Sequence, residues 1–383
     1  MANGEQEAAV GRSLKDIDPD LKRVFLPWIL RHPRYIGAGP RLLRAVKAAG
    51  KLRAAHSMKG LMVPPFLILS MTSRCNLSCA GCFAAAAGHV RRGDGRPNGH
   101  KPYQLGHGQW RDIIAEASEL GVFGFVMVGG EPFLMPGLLD LCREFKNRFF
   151  IIITNGTAIS KENYKALSKL ANVAVIVSIE GSPEMTDARR GAGVYVRAMD
   201  TLTRLNKLGV VNGVSVTITR VNFRYWMNED NIDDLVHNGV RIGAFLEYIP
   251  TRPEDPDDMG LMLEPDESAE FRARMLYYRS NKSIYIVHSP GDEESFGGCV
   301  SAGRGFAHVT PGGDLTACPV SNMATHNRTT ASLRDALASR LFEEIRANEH
   351  LLETEGMPCA LFAHPKEVNE LAVQVGAYRT DRV

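Results

Sequence analysis

The chain has 383 residues, of which 44% are hydrophobic and 23% charged, and its 45 basic residues nearly balance 43 acidic ones. This composition is typical of a globular protein and argues against a disordered chain. The longest apolar runs are far shorter than the roughly 20 residues of a membrane span, and the first residues lack the apolar core of a signal peptide. We therefore expect a cytoplasmic protein, whose seven cysteines are metal ligands or buried thiols and not disulfides.

Residues 1–60 predict a basic helical extension. Ten basic residues and no acidic one lie between Leu21 and Gly60, and Phe25 and Trp28 are interleaved with them at roughly helical spacing. A helix of this kind either packs its apolar face on the main domain or lies on an anionic membrane surface. The second alternative implies peripheral contact at the inner face of the membrane. No nucleic-acid motif is present, and we expect no nucleic-acid partner.

From Pro64 onwards, strand-like and helix-like segments alternate. Strands each followed by a helix predict a parallel sheet with right-handed crossovers, here a partial (β/α)6 TIM-like barrel over residues 61–250. The predicted strands are Phe66–Thr72, Phe123–Val128, Phe149–Thr154, Val173–Ile179, Gly213–Thr219 and Arg241–Ile249. The predicted helices between them are Gln109–Leu120, Leu138–Asn147, Lys161–Leu170, Tyr195–Leu208 and Trp226–His237. Active groups are expected at the C-terminal ends of the strands.

Residues 251–383 predict a small α+β domain. A turn at Pro311–Asp314 separates two short strand-like runs and favours a hairpin, Gly305–Thr310 with Leu315–Pro319. Helices are expected near Asp266–Ser280 and Leu333–Asn348. One polar insertion in the barrel, Gly88–His107, follows the first strand closely. It is either a surface loop or a lid over the active site.

Three cysteines follow the first strand directly. Cys75, Cys79 and Cys82 form the pattern C-x3-C-x2-C. Zinc sites usually have four tetrahedral ligands, and this loop offers three with no histidine beside them. Three thiolates on a 4Fe–4S cluster leave one iron open for a further ligand. A catalytic iron–sulfur cluster is therefore the main hypothesis, with structural zinc or buried free thiols as the alternatives.

This motif is the signature of the radical S-adenosylmethionine (radical SAM) superfamily, which the sequence resembles from about Pro64 to Cys359. The run Gly129-Gly130-Glu131-Pro132 is similar to the family's GGEP motif, whose backbone and carboxylate contact the methionyl amine of S-adenosylmethionine. The resemblance also implies that Ser178 and Arg190 hold the methionyl carboxylate and that Glu180 lies near the ribose. Glu180 stands where the family has Asp, and Thr186 where it has His.

Other cosubstrate contacts follow from the same resemblance. Phe83, directly after the third cysteine, would contact adenine through its backbone, and Asn155 belongs to a family-like TNG run at the end of the third strand. Thr217 lies on the fifth strand and Glu247 and Tyr248 on the sixth, and we expect them to line the site, with core packing as the alternative.

A second cysteine set comprises Cys299, Cys318 and Cys359. It resembles the twitch or SPASM extension of the superfamily, which implies an auxiliary 4Fe–4S cluster beneath the predicted hairpin. The fourth ligand would be substrate, solvent, or a side chain such as His308 or His364. Three buried structural thiols are the alternative. Cys142 lies in an apolar helical run and is expected in the core.

The resemblance implies a radical SAM enzyme. Such an enzyme cleaves S-adenosylmethionine reductively with an electron from a flavodoxin- or ferredoxin-type donor, and the 5′-deoxyadenosyl radical removes a hydrogen atom from an unactivated carbon. The main hypothesis for the substrate is an apolar or anionic small molecule, a lipid or a natural-product precursor. One alternative is a maturase that oxidises or cross-links side chains of a peptide or protein. Another is a non-enzymatic iron–sulfur electron carrier or sensor.

Overall fold

The structure is a computed structural model, and it describes residues 19–90 and 104–381. Within these residues eleven strands form one sheet, in the order β11-β10-β9-β8-β1-β2-β3-β4-β5-β6-β7. The strands are β1 Phe66–Ser70, β2 Gly124–Val128, β3 Phe149–Thr154, β4 Val173–Ser178, β5 Val211–Ile218, β6 Ile242–Glu247, β7 Tyr285–Ser289, β8 Phe306–Val309, β9 Asp314–Thr316, β10 Met323–Asn327 and β11 Tyr378–Arg379.

The same residues contain sixteen α-helices, most of which connect or flank these strands. They are α1 Pro19–Leu30, α2 Pro33–Ser57, α3 Phe83–Ala86, α4 His107–Leu120, α5 Leu138–Glu144, α6 Lys161–Leu167, α7 Pro183–Arg190, α8 Val194–Lys207, α9 Phe223–Met227, α10 Glu229–His237, α11 Pro256–Met259, α12 Pro265–Asn281, α13 Leu333–Leu337, α14 Arg340–Ala347, α15 Ala360–Ala363 and α16 Pro365–Gln374. Three short 3-10 helices add to them, at Pro132–Leu134, Glu293–Phe296 and Glu349–Leu352.

The predicted partial barrel is confirmed. Strands β1 to β7 pair in sequence order and in parallel, so the chain crosses over through helices after each strand. Alternate strand residues are fully buried against those helices, as Leu67 and Leu69 are in β1. The ring of Phe125 stacks on Phe150 of the next strand at 5.4 Å. This alternation leaves every second side chain for the inside of the barrel.

The N-terminal helices α1 and α2 pack on the barrel. Trp28 and Tyr35 are buried in one cluster with Ala174 at the beginning of β4 and Val211 at the beginning of β5. These residues lie at the N-terminal ends of the strands, so the two helices cover the end of the barrel opposite the predicted active site. In the structure the N-terminal extension therefore packs its apolar residues Trp28 and Tyr35 on the barrel.

Arginines of this extension bind backbone carbonyls at the ends of barrel helices. Arg34 donates to the carbonyls of Ser168 and Leu208, which follow α6 and α8. Arg53 donates to the Gly121 carbonyl after α4 at 2.7 Å, and Arg23 to the Lys282 carbonyl after α12. Helix C-termini carry unpaired carbonyls and partial negative charge. At least these three cations therefore serve the fold.

The C-terminal region continues the barrel sheet. Strand β7 adds to β6, β8 runs parallel to β1, and β8 with β9 forms the predicted hairpin. The predicted boundary at residue 250 therefore does not interrupt the sheet. Most of the predicted lid, residues 91–103, lies outside the described residues. Over the described ranges, none of the helices has the length and apolar character needed to cross a membrane.

Candidate active site

The loop after β1 brings three thiols to one cavity. Cys75, Cys79 and Cys82 all line it, together with Gly129 and Gly130 from the end of β2. All three cysteines are partly exposed. Phe83 begins α3 and is 40% exposed. The predicted cluster loop thus lies at the C-terminal end of the strands, with the GGEP run beside it.

Glycine is required at both positions of the Gly129-Gly130 pair by the approach of the cysteine loop. A Cβ on Gly130 would lie 2.0 Å from the Arg74 carbonyl oxygen, and one on Gly129 would lie 2.7 Å from that of Thr72. The Gly130 amide donates to the Thr72 carbonyl and the Glu131 amide to the Arg74 carbonyl. Backbone therefore packs on backbone here, which only glycine permits.

The Glu131 carboxylate has partners other than those expected. It is fully buried and accepts hydrogen bonds from the Thr154 hydroxyl at 2.7 Å, the Asn155 amide at 2.8 Å and the Phe133 amide at 3.1 Å. Burial raises its pKa, and these three donors counteract the rise. In this structure the carboxylate joins the ends of β2 and β3. The expected contact of this run with the methionyl amine stays a prediction, and Pro132 is itself buried.

Asn155 connects the end of β3 to the cysteine loop. Its side-chain Nδ2 donates to Oδ1 of Asn76 at 2.9 Å, and Asn76 directly follows Cys75. The Asn76 Nδ2 in turn donates to the Thr157 hydroxyl. The loop is thus fixed from the β3 side as well as from β2.

Glu180 is the centre of a buried ion-pair network. Its side chain is 2% exposed, and its Oε1 pairs with Arg190 at 2.6 Å and with Arg189 at 2.5 Å. Its Oε2 accepts from the Thr217 amide. Ser178, at the end of β4, is buried at 8% exposure. The expected residues Ser178, Glu180, Arg190 and Thr217 therefore lie at neighbouring strand ends, with Arg190 bound to Glu180.

Thr186 holds the turn after β4. Its hydroxyl accepts a hydrogen bond from the Glu180 amide at 3.0 Å, and it is fully buried. The residue that replaces the family's histidine is therefore a structural support for Glu180.

The two arginines act on the cysteine loop electrostatically. Burial raises the pKa of Cys79, and the positive charges of Arg190 and Arg189 oppose that rise. Burial also raises the pKa of Cys75. A cation near a thiol favours the thiolate, which is the metal-binding form.

Glu247 does not line the cosubstrate site. Its Oε1 accepts from the Ser268 hydroxyl of α12 at 2.6 Å and contacts Nε2 of His288 at 2.9 Å. The side chain thus packs on the helix side of β6, and the expectation from the sequence is corrected here. The next residue, Tyr248, faces the loop instead, since a Cβ on Gly81 would lie 2.6 Å from its hydroxyl. Consecutive strand residues point to opposite faces.

The second cysteine set is more deeply placed. Cys299 and Cys318 are buried, and Cys359 precedes α15. Burial raises the pKa of Cys299 to about 12. Burial also raises that of Cys318, and the charges of Cys359 and Cys299 raise it further. The three thiols are thus close enough to interact. Cys142 is fully buried in the core.

The two histidines named as a possible fourth ligand differ in how their ring nitrogens are engaged. His308 contacts the Ser70 hydroxyl through Nε2 and the Thr316 hydroxyl through Nδ1, both at 2.8 Å. His364 contacts the Glu353 carbonyl through Nε2. The sequence did not single out Glu293, whose carboxylate contacts the residue after Cys299. Glu293 accepts from the Val300 amide, and its charge contributes to raising the pKa of both Cys299 and Cys359.

The thiols fit iron–sulfur clusters better than a single ion. Over residues 19–90 and 104–381, no three His, Cys, Asp or Glu side chains converge tightly enough to hold one metal ion. In a cubane each thiolate binds a different iron, so its ligands do not need to converge on one point. Three thiols around one cavity, with close backbone on one side, match that requirement at the first set. At the second set, the buried Cys299 and Cys318 and the partly exposed Cys359 match it.

Comparisons with known proteins agree with this site. The model of the radical SAM superfamily matches residues 69–236. The sporulation killing factor maturation protein SkfB of Bacillus subtilis is 29% identical over 241 residues, which cover 61% of this chain and 55% of SkfB. This chain thus matches about half the length of that relative. The mycofactocin maturase MftC of Mycobacterium ulcerans is 27% identical, with 76% of this chain and 77% of MftC covered.

A solved structure shows the same fold. The crystal structure of Streptococcus suis SuiB bound to the precursor peptide SuiA has a TM-score of 0.63 at 16% identity. The alignment covers 83% of this chain and 74% of SuiB. Enzymes of this kind use a 4Fe–4S cluster and S-adenosylmethionine, and the C-terminal region of this chain resembles a twitch or SPASM extension. Residues 69–236 thus match the radical SAM superfamily, and the cysteine loop and the partial barrel agree with that match.

Proposed function

We propose that this chain is a maturase that modifies a side chain of a precursor peptide by removing a hydrogen atom from an unactivated carbon. The observation that carries the proposal is the agreement of the relatives. SkfB and MftC are named as maturation proteins, and the SuiB structure holds a precursor peptide. This favours the peptide hypothesis over a small-molecule or lipid substrate.

The inside of the barrel suits an apolar side chain. Leu246 of β6 and Val287 of β7 are 37% and 38% exposed, whereas their neighbours Glu247 and His288 are buried on the helix side. Strand alternation therefore turns Leu246 and Val287 towards the inside. Because ligand sites are lined mainly by apolar side chains, we assign Leu246 and Val287 to substrate contact.

The protein's own groups have separable tasks in this reaction. When bound, the cluster and S-adenosylmethionine supply the electron and the hydrogen-abstracting radical. Gly129 and Gly130 let the chain approach closely, Arg190 and Ser178 hold the methionyl carboxylate, and Leu246 and Val287 position the substrate carbon. The floor formed by Trp28 and Tyr35 closes the other end against water. A flavodoxin- or ferredoxin-type electron donor remains a prediction.

Peptide modification can be tested directly. The anaerobically reconstituted, reduced enzyme is incubated with S-adenosylmethionine and the short peptides encoded beside its gene. We expect a change in peptide mass and deuterium transfer from labelled peptide into 5′-deoxyadenosine. Leu246→Lys should lower peptide modification at least tenfold, whereas Val196→Lys, on an exposed site of α8, should not. Deuterium transfer from a labelled lipid or metabolite, with every peptide unchanged, would contradict the proposal.

The lipid hypothesis is a second candidate, and one observation favours it. Leu26, Leu30 and Ile36 of the N-terminal helices are each more than half exposed, beside a surplus of basic residues. Each cation near an anionic membrane contributes about 1 kcal/mol. The candidate predicts sedimentation with phosphatidylserine vesicles at low salt and release at high salt. A Leu26→Gln/Leu30→Gln/Ile36→Gln variant should then stay in solution, and a wild type that ignores these vesicles would remove this candidate.

A further inference from the structure

Two consecutive arginines end α7, and the sequence assigned a task to only one of them. Arg190 is the residue that the family pattern places on the methionyl carboxylate. Arg189 is 19% exposed at its side chain, Arg190 is 10% exposed, and both pair with Oε1 of Glu180.

Arg189 joins three parts of the site. Its Nη1 donates to the Thr217 hydroxyl at 3.0 Å, and its Nη2 donates to the Gly81 carbonyl at 3.1 Å. Its own carbonyl accepts from the Ala80 amide at 2.9 Å. Ala80 and Gly81 lie between Cys79 and Cys82. One residue therefore holds the cysteine loop by side chain and by backbone, and ties it to β4 through Glu180 and to β5 through Thr217.

Arg189 also helps to neutralise the Glu180 carboxylate. Its carboxylate is 2% exposed, and a buried carboxylate that loses its cation is strongly destabilised. If Arg190 turns its guanidinium towards a cosubstrate carboxylate, Glu180 would lose one of its two cations. Arg189 would remain, together with the Thr217 amide. The pair of arginines thus allows one to be released while the other keeps Glu180 neutralised.

Arg189 also places a positive charge beside the cysteine loop. Its Nη2 donates to the carbonyl of Gly81, which lies between Cys79 and Cys82. A fixed positive charge beside a cluster stabilises the reduced, more negative form relative to the oxidised form, because cluster potentials depend on nearby charge and hydrogen bonds.

We propose that Arg189 is a positioning residue for radical generation, which frees Arg190 to bind S-adenosylmethionine and makes the catalytic cluster easier to reduce. The inference rests on the proposed function only through the placement of the methionyl carboxylate at Arg190. It needs no assumption about the substrate.

The test uses the full-length, anaerobically reconstituted protein without any substrate. The variants are Arg189→Ala, Arg189→Lys and, as a matched control, Arg197→Ala on the exposed face of α8. Iron content, binding of S-adenosylmethionine and the midpoint potential of the cluster whose electron paramagnetic resonance spectrum responds to S-adenosylmethionine are measured. Because no substrate is present, a failure of the peptide hypothesis would leave these results unchanged.

We expect Arg189→Ala to keep the iron content of the wild type but to bind S-adenosylmethionine at least tenfold more weakly. The one-electron reduction equilibrium should shift at least tenfold towards the oxidised form, which corresponds to about 59 mV. Arg189→Lys should recover most of the potential, because it keeps the charge, but less of the affinity, because an ammonium group lacks the planar fork. The Arg197→Ala control should match the wild type.

Two results would overturn the inference. One is an Arg189→Ala variant with the affinity and the midpoint potential of the wild type. The other is loss of the catalytic iron from both Arg189 variants alike, which would reduce Arg189 to a scaffold of the loop.

Discussion

The two cysteine sets of this protein lie in opposite electrostatic surroundings. Cys75, Cys79 and Cys82 are partly exposed, and the guanidinium groups of Arg189 and Arg190 act on Cys79. In the second set Cys299 and Cys318 are buried, and the nearby carboxylate is that of Glu293. A site that must admit a cosubstrate needs an open side and a cation for a carboxylate. A site that only stores or passes electrons is better enclosed, with few entry routes for solvent.

The largest expected effect separates the two sets by activity. Changing Cys75, Cys79 and Cys82 together to Ala should abolish formation of 5′-deoxyadenosine from S-adenosylmethionine, because no thiolate remains to hold the catalytic iron. Product is measured by liquid chromatography after chemical reduction. The control is Cys142→Ala, at a buried cysteine outside both sets, which should retain product formation if it folds. Product at the wild-type rate from the triple variant would place the chemistry elsewhere.

Iron content tests whether the second set holds a cluster at all. Two cubanes require about eight iron atoms in the wild type, and each triple variant should keep about four. The triple variant of Cys299, Cys318 and Cys359 should lose its iron from the buried set while it still cleaves S-adenosylmethionine. Should the triple variant of the first set contain no iron after anaerobic reconstitution, the buried set would be three structural thiols.

A substitution at Arg190 tests whether the first cysteine set has a cation that binds the cosubstrate carboxylate. Losing a charge-assisted contact to a carboxylate typically costs about 2–5 kcal/mol, so Arg190→Ala should weaken binding of S-adenosylmethionine by more than tenfold. Iron content should stay at the wild-type value, because Arg189 still pairs with Glu180. Equilibrium dialysis with labelled cosubstrate measures the affinity. Wild-type affinity would mean that Arg190 serves only the Glu180 network.

The smallest effect is expected at Glu293. Removing its charge with Glu293→Gln should lower the raised pKa of Cys299 and Cys359 and make the buried cluster easier to reduce. A partly screened charge at short range is worth on the order of 1 kcal/mol. The reduction potential of the second cluster should rise, whereas that of the catalytic cluster should not change. A shift towards harder reduction, or an equal shift of both clusters, would contradict the comparison.

The N-terminal region shows which features of a segment can be predicted from its sequence and which cannot. Its composition predicted basic amphipathic helices, and the structure has the helices α1 and α2 in this region. It left open where the cations point, because a pattern of charges does not name its partners. The structure shows Arg34 and Arg53 on the carbonyl ends of barrel helices. Those carbonyls belong to residues 68 or more positions away in the chain, and no local pattern could pair them.

The sequence by itself determined which residues can carry the chemistry. A C-x3-C-x2-C run directly after a strand, and GGEP at the end of the next, are local patterns, and parallel strands must bring their carboxyl ends to one edge. The barrel and the cysteine loop followed from this. The need for glycine at position 130 could also be predicted, since two adjacent glycines at a strand end indicate that another backbone segment approaches closely.

The tertiary structure alone decided which face and which partner each side chain has. Glu247 and Tyr248 are neighbours, yet only Tyr248 faces the cysteine loop, because one step along a strand reverses direction. Arg189 and Glu293 belong to no motif and are identified only by what the fold places beside them. The reason is physical: burial, ion pairing and register depend on contacts between distant residues, whereas motifs and periodicity report only on neighbours in the chain.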